Sequence, residues 1–172
     1  MAPHEKQTGM YELSSRQPGT TPRVPAKRID FISLRVVREA PSVLYQQRTI
    51  RGAEDAAEFL RPHLEDRDRE TFVCMHLTTK HEVASVMVCS VGTLDASLCH
   101  PRDILKGACV SNASAVLCAH NHPSGDPTPS PADITVTHRL KEAARILGID
   151  FLDHVVIGAD GRFTSLKAKG LM

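Results

Sequence analysis

The residues with the clearest chemical potential lie in one unbroken stretch, Ala119-His120-Asn121-His122-Pro123-Ser124-Gly125-Asp126-Pro127-Thr128-Pro129-Ser130-Pro131-Ala132-Asp133. Side chains two apart on an extended chain point to the same side, so His120 and His122 can offer their imidazoles to one point. Pro123, Pro127 and Pro129 stiffen the loop that returns the chain to a helix whose first turn holds Asp133. Two imidazoles and a carboxylate, with a fourth position left to water, are the ligand set of a catalytic rather than a structural zinc. Such a site lowers the pKa of bound water towards ~7 and polarises a carbonyl. A plainer reading exists. A His-X-His pair alone is a weak metal signal, and Ser130, Pro131 and Asp133 suit any helix start: serine as N-cap, proline at N1, an acid at N3. On that reading Asp133 only satisfies backbone donors. The combination favours the metal, because a rigid loop that brings an acid back to a histidine pair has little purely structural purpose.

These side chains need a scaffold, and the hydrophobic pattern predicts one. Ala115–Ala119 is wholly apolar and reads as a central strand buried on both faces, ending where His120 begins. A long helix follows from Pro131 to Leu147, with Gly148 as its stop. Upstream, a helix is expected from about Ala53 to Leu60, with Ala56, Ala57, Phe59 and Leu60 as its buried stripe and Pro62 undermining its last turn. Thr71–Thr78 and Val83–Val91 read as strands joined through Thr79-Lys80-His81 in a hairpin. Pro101 opens a helix with Asp103 in its first turn and an apolar face of Ile104, Leu105, Ala108 and Cys109. Phe151–Ile157 and Arg162–Ser165 flank Asp160-Gly161, a second hairpin signal. Phe31, Ile32, Leu34, Val36 and Val37 form a further candidate strand. Residues 1–28, with Pro18, Gly19, Pro22 and Pro25 among polar neighbours, read as a disordered or flexible tail before one domain at 29–172. Helix, two strands, helix, strand, helix, two strands means an α/β sandwich around a mixed sheet.

Bulk properties exclude more than they assign. A chain of 172 residues fits one domain with a tail. A net charge of +1 does not advertise nucleic-acid or membrane binding. No apolar run approaches the ~20 residues that cross a bilayer. The five cysteines, Cys74, Cys89, Cys99, Cys109 and Cys118, are odd in number and include no Cys-X-X-Cys pair, and no secretory signal opens the chain. A reducing cytoplasm is the expected compartment.

His-X-His-Pro, with seven residues between His122 and Ser130, and then Ser-X-X-Asp resembles the signature of the JAMM (MPN-plus) metalloproteases. His120-Asn121-His122-Pro123-Ser124-Gly125-Asp126-Pro127, with Gly92-Thr93-Leu94 and His100-Pro101-Arg102 upstream and Leu152-Asp153-His154 downstream, looks like the bacterial RadC branch of that superfamily. The resemblance covers roughly residues 30–172 and implies a JAMM/MPN-like (cytidine-deaminase-like) sandwich. It implies a catalytic zinc on His120, His122 and Asp133, with Ser130 hydrogen-bonding the developing oxyanion or the metal-bound water. It also implies a glutamate on an early strand as general acid and base on that water. Glu70, at the start of the Thr71–Thr78 strand, is the candidate, and Glu82 is the runner-up. Around them, His100 is either a helix cap or a neighbour of the metal, and His154 reads as a satisfied core histidine. Ser124 and Asp126 either contact substrate or make turns, and Asn121 should brace the site loop. Longer RadC relatives carry an N-terminal helix-hairpin-helix segment associated with DNA. The residues before Ile29 are too few and too proline-rich for it, so a stand-alone catalytic domain of the kind found on plasmids and phages is expected.

Three functions compete on this reading. The first is a metallopeptidase or isopeptidase acting on a peptide or protein, with the glutamate activating water against an amide carbonyl. The second is a DNA-repair-associated nuclease or accessory using the same metal on a phosphodiester, which the near-neutral charge disfavours. The third is a non-catalytic interaction module, against which the intact ligand set argues.

Overall fold

The computed structural model describes residues 32–33, 37, 49–92 and 100–172. The expected tail, most of the candidate strand at 31–37, Thr93, Leu94 and Cys99 lie outside the described residues. Within them the elements follow the expected order: α1 (Ala53–Leu64), β1 (Thr71–Leu77), β2 (Val83–Val91), α2 (Pro101–Val110), β3 (Ala115–Asn121), α3 (Pro131–Leu147), β4 (Asp150–Ile157) and β5 (Phe163–Ser165). The strands form a mixed sheet in the order β2-β1-β3-β4-β5. β1 is antiparallel to both β2 and β3, β3 is parallel to β4, and β4 is antiparallel to β5. Both predicted hairpins are present. The parallel pair needs a crossover, and α3 supplies it.

The uniformly apolar β3 is the middle strand and is buried along its whole length, as a strand covered on both faces must be. Alternation sorts its neighbours into two cores. Val73, Met75 and Leu77 of β1, Leu117 and Ala119 of β3, and Val155 and Ile157 of β4 pack under α1. Phe72, Cys74, Val116 and Cys118 face the opposite way, against Ile104, Leu105 and Ala108 of α2 and Val136, Leu140 and Ala144 of α3. With a period of two, His120 falls on the second face, beneath α3.

Three details depart from expectation. α1 continues through Pro62 to Leu64. The missing proline N–H removes one bond in the last turn, while Leu64 beyond it is buried and the Glu65 N–H still donates to the Arg61 carbonyl at 3.0 Å. Cys109 is exposed rather than part of the apolar face of α2. It lies ~100° around the helix from Ala108, so the buried stripe is narrower than predicted. β3 runs on past Ala119 to include His120 and Asn121. α3 ends as predicted, at Gly148 with φ 70°, the left-handed conformation that a glycine adopts without steric cost. Among the described residues no helix is long and apolar enough to cross a membrane.

Candidate metal centre

The end of β3, the start of β1 and the start of α3 meet at one point. Because β1 and β3 are antiparallel, Phe72 pairs with His120. Glu70, two residues earlier, therefore comes out on the side shared by His120 and His122. α3 begins above them with Asp133 in its first turn. One ligand atom from each of Glu70, His120, His122 and Asp133 lies within 4.8 Å of all the others. The Nε2 atoms of His120 and His122 are 3.0 Å apart. Asp133 Oδ1 lies 3.3 Å from His120 Nε2, and its Oδ2 lies 3.5 Å from His122 Nε2. Glu70 Oε1 stands 4.0 Å from His120 Nε2; the side chains of Glu70 and His122 are each 18% exposed, against 0% for His120 and 1% for Asp133. Glu82 sits beyond the other end of β1, past the Leu77–Ala115 pair, far from this cluster.

Asp133 makes the cap that one of its readings requires, and it stands beside both imidazoles, where the other would need it. Its Oδ2 accepts from the Ser130 backbone N–H and hydroxyl, each at 2.7 Å, while Ser130 Oγ accepts from the Asp133 N–H at 3.2 Å. That is a complete capping box. The same carboxylate faces both imidazoles, so the cap is also the device that aims it.

The Glu70 side is held by a residue whose role the sequence placed elsewhere. Asn121, buried and pointing to the opposite face from the histidines, accepts from the Thr71 N–H at 2.8 Å and donates to the carbonyls of Arg67 and Arg69 at 3.3 and 3.2 Å. It braces the approach to β1 rather than the proline-rich loop. The Glu70 carbonyl accepts from the Gly92 N–H at 2.8 Å. The loop itself is fixed by the β4 end: the His122 N–H donates to the Ile157 carbonyl, and the Gly125 carbonyl accepts from the Ala159 N–H and the Arg162 guanidinium at 3.0 Å each. A Cβ on Gly158 would stand 2.6 Å from the Gly125 carbonyl oxygen, so only glycine lets the two segments touch. Asp126 and Ser124 make turns: the Asp126 carboxylate accepts from the Thr128 N–H and hydroxyl, and Ser124 Oγ accepts from the Asp126 N–H. His100 is the exposed N-cap residue of α2 and makes no side-chain cap bond.

His154 does more than fill the core. Wholly buried on β4, it lies with Nε2 2.9 Å from His120 Nδ1 and Nδ1 2.6 Å from the Thr137 hydroxyl. No spacing rule connects it to the His-X-His pair. Only the parallel pairing of Cys118 with His154 places it there.

The electrostatics suit a cation. Burial alone would raise the Asp133 carboxyl, but hydrogen bonds from His120, His122 and Ser130 outweigh it and hold the group well below the usual carboxylate range. The hydrogen bond with Asp133 raises the pKa of His122, against the effect of burial. Burial pushes His154 well below the ordinary imidazole value. The His122 Nδ1–H donates to the Asp126 carbonyl at 2.8 Å, which leaves its Nε2 lone pair facing the cluster. With its Nε2 unprotonated, His122 brings a lone pair beside the carboxylates of Asp133 and Glu70, a donor set for a divalent metal.

The model of the RadC-like JAB domain matches residues 50–171, most of the chain. The chain belongs to that family. Among similar proteins, a UPF0758 protein of Moorella thermoacetica is 46% identical over 140 residues, which is 81% of this chain and 61% of the relative. A UPF0758 protein of Desulforamulus reducens is 50% identical over 123 residues, 72% of this chain and 54% of the relative. One from Shouchella clausii is 46% identical over 136 residues, 79% and 57% respectively. This RadC-like chain thus spans less than two thirds of the length of these relatives. Its mixed sheet flanked by helices accords with a JAB/MPN-like domain.

Proposed function

We propose that this chain is a zinc-dependent hydrolase that cleaves an amide bond in a peptide or protein, as a metallopeptidase or isopeptidase. Family membership and the four-residue cluster support metal-dependent hydrolysis in general. The observation that carries the finer reading is the position of Glu70, a half-buried carboxylate that stands 4.0 Å from His120 Nε2, farther than Asp133 lies from either imidazole. His120, His122 and Asp133 hold the zinc. Zinc in such a site acts as a Lewis acid on the carbonyl and brings the pKa of water towards ~7. Glu70 takes one proton from the attacking water as its oxygen bonds to the carbonyl carbon, and then delivers that proton to the nitrogen of the departing amine as the C–N bond breaks. Ser130, whose hydroxyl donates to Asp133 at rest, turns to donate to the carbonyl oxygen as negative charge builds there.

The test separates ligand from base. Purified without added metal, the protein should carry about one zinc per chain, and Glu70→Gln should keep it. That variant should lose peptide hydrolysis by ~10²–10⁴-fold, the usual contribution of a general base. Loss of zinc in Glu70→Gln would make Glu70 a ligand and overturn this assignment of roles. Hydrolysis of DNA rather than peptide by the wild type, abolished by the same substitution, would keep the metal site and overturn the substrate class.

A further inference from the structure

We infer that Thr137 and His154 are positioning residues that fix which nitrogen of His120 carries its hydrogen, and so make His120 able to bind metal. The inference rests on reading the cluster as a metal centre, and its logic is a count of hydrogen atoms along a buried chain. Thr137 Oγ1 lies 2.6 Å from the Asp133 backbone carbonyl and 2.6 Å from His154 Nδ1. His154 Nε2 lies 2.9 Å from His120 Nδ1. A carbonyl oxygen can only accept, so the single Thr137 hydrogen goes to Asp133. The hydroxyl oxygen must then accept from His154, which puts the His154 hydrogen on Nδ1 and leaves its Nε2 an acceptor. His120 Nδ1 must in turn donate to that nitrogen. The His120 hydrogen is thereby held away from the cluster, and its Nε2 lone pair faces His122 and Asp133.

The reversed chain is poorer. If Thr137 donated to His154, two oxygens 2.6 Å apart would face each other with no hydrogen between them, and the bond lost there would be exchanged for a longer one from His120 Nε2–H to Asp133 Oδ1 at 3.3 Å. In that state His120 would present an N–H where a metal needs a lone pair. Both rings are fully buried, and Phe72 packs against each, with centroids 6.1 Å from His120 and 5.2 Å from His154. The chain closes on the site it serves, since the carbonyl at its far end belongs to Asp133, the third ligand. His122 is set independently by the Asp126 carbonyl, so the two imidazoles are oriented from opposite sides.

Thr137→Val keeps the side-chain shape and removes only the hydroxyl. His154 then gains nothing by holding its hydrogen on Nδ1, and the reversed arrangement, with His154 donating to His120, becomes the better one. Two readouts follow on purified protein: zinc affinity by competition with a chromophoric chelator, and the His120 tautomer in metal-free protein by ¹⁵N NMR at about pH 8, above the ordinary imidazole range. We expect hydrogen on Nδ1 of His120 in the wild type and in Thr137→Ser, and on Nε2 in Thr137→Val. Zinc affinity should fall by about 10- to 100-fold in Thr137→Val, the usual effect of losing a partner that orients a ligand, and recover in Thr137→Ser. Thr137→Ala, which also lacks the hydroxyl, repeats the comparison should the valine variant not fold. Wild-type affinity with an unchanged tautomer in the hydroxyl-free variant would overturn the inference. Absence of zinc binding in every protein, wild type included, would instead defeat the metal reading, and the tautomer measurement would still decide this one.

Discussion

At His122 a proton and the proposed metal would compete for the same lone pair. Its Nδ1–H is committed to the Asp126 carbonyl, so the nitrogen that faces Asp133 is the one that titrates. The Asp133 hydrogen bond raises the pKa of His122 in the metal-free fold. A group with a raised folded pKa stabilises the fold fully below its unfolded pKa, about 6.5, and loses that contribution as pH rises through the folded value. Zinc needs the neutral ring, so its affinity should rise with pH over the same interval. The chelated protein should therefore lose thermal stability as pH is raised from about 6.5, while zinc affinity climbs, and His122→Gln should flatten both trends. Parallel slopes in the two series would sink this account. The convergence of His120, His122 and Asp133 was legible in the sequence because they share one continuous stretch, with spacing that two local periodicities govern. Glu70 was legible only through resemblance, since just the antiparallel register that pairs Phe72 with His120 brings it in. His154 is the satisfied core histidine expected, but its partner His120 and the Asn121 partner Thr71 could not be read, because they lie across strands, 34 and 50 residues away.

Among the elements, the strands were easier to read than their ends. An apolar run with a period of two or none announces β1, β2 and β3, whereas Pro62 inside α1 and the continuation of β3 through Asn121 depend on tertiary burial that overrides local preference. The contact between the β4 end and the site loop belongs to the same class. Gly158 was an unremarkable turn residue in the sequence, yet its missing Cβ is what admits the Gly125 carbonyl and Pro127, at 2.6 and 2.8 Å from where that atom would be. Backbone cannot yield there as a long side chain would. Gly158→Ala should push the loop outward, weaken the His122–Asp126 bond and lower zinc affinity several-fold. The two cores under α1 and α2/α3 lie elsewhere and should keep their cooperative unfolding. Isothermal titration beside a thermal melt checks this. Unchanged zinc affinity would mean that the loop position does not matter to the ligand.

For the whole molecule, a metal held as proposed would have a mechanical consequence, because its ligands come from two elements that the loop between them joins less directly. His120 lies at the end of β3, His122 just beyond it, and Asp133 in the first turn of α3, with Glu70 facing them from the start of β1. Zinc that binds the folded chain and not the unfolded one stabilises it by mass action, ~2.7 kcal/mol at a hundredfold excess over Kd. In a domain of this size that amounts to a rise in Tm on the order of 10 °C. Replacing Asp133 tests the coupling, and the choice of substituent matters because the residue also caps α3. Asp133→Ala removes the ligand together with the Asp133 half of the capping box, leaving Ser130 Oγ its bond from the backbone N–H of residue 133, and loss of a capping interaction costs up to about 1 kcal/mol. Asp133→Asn keeps an oxygen for the Ser130 N–H and discards the charge. In the presence of chelator, Asp133→Asn should melt near the wild type and Asp133→Ala below it. With zinc added, only the wild type should gain the full increment. If both variants gained it as well, Asp133 would be a cap and not a ligand, and the chemistry would have to be sought in Glu70 and the two histidines alone.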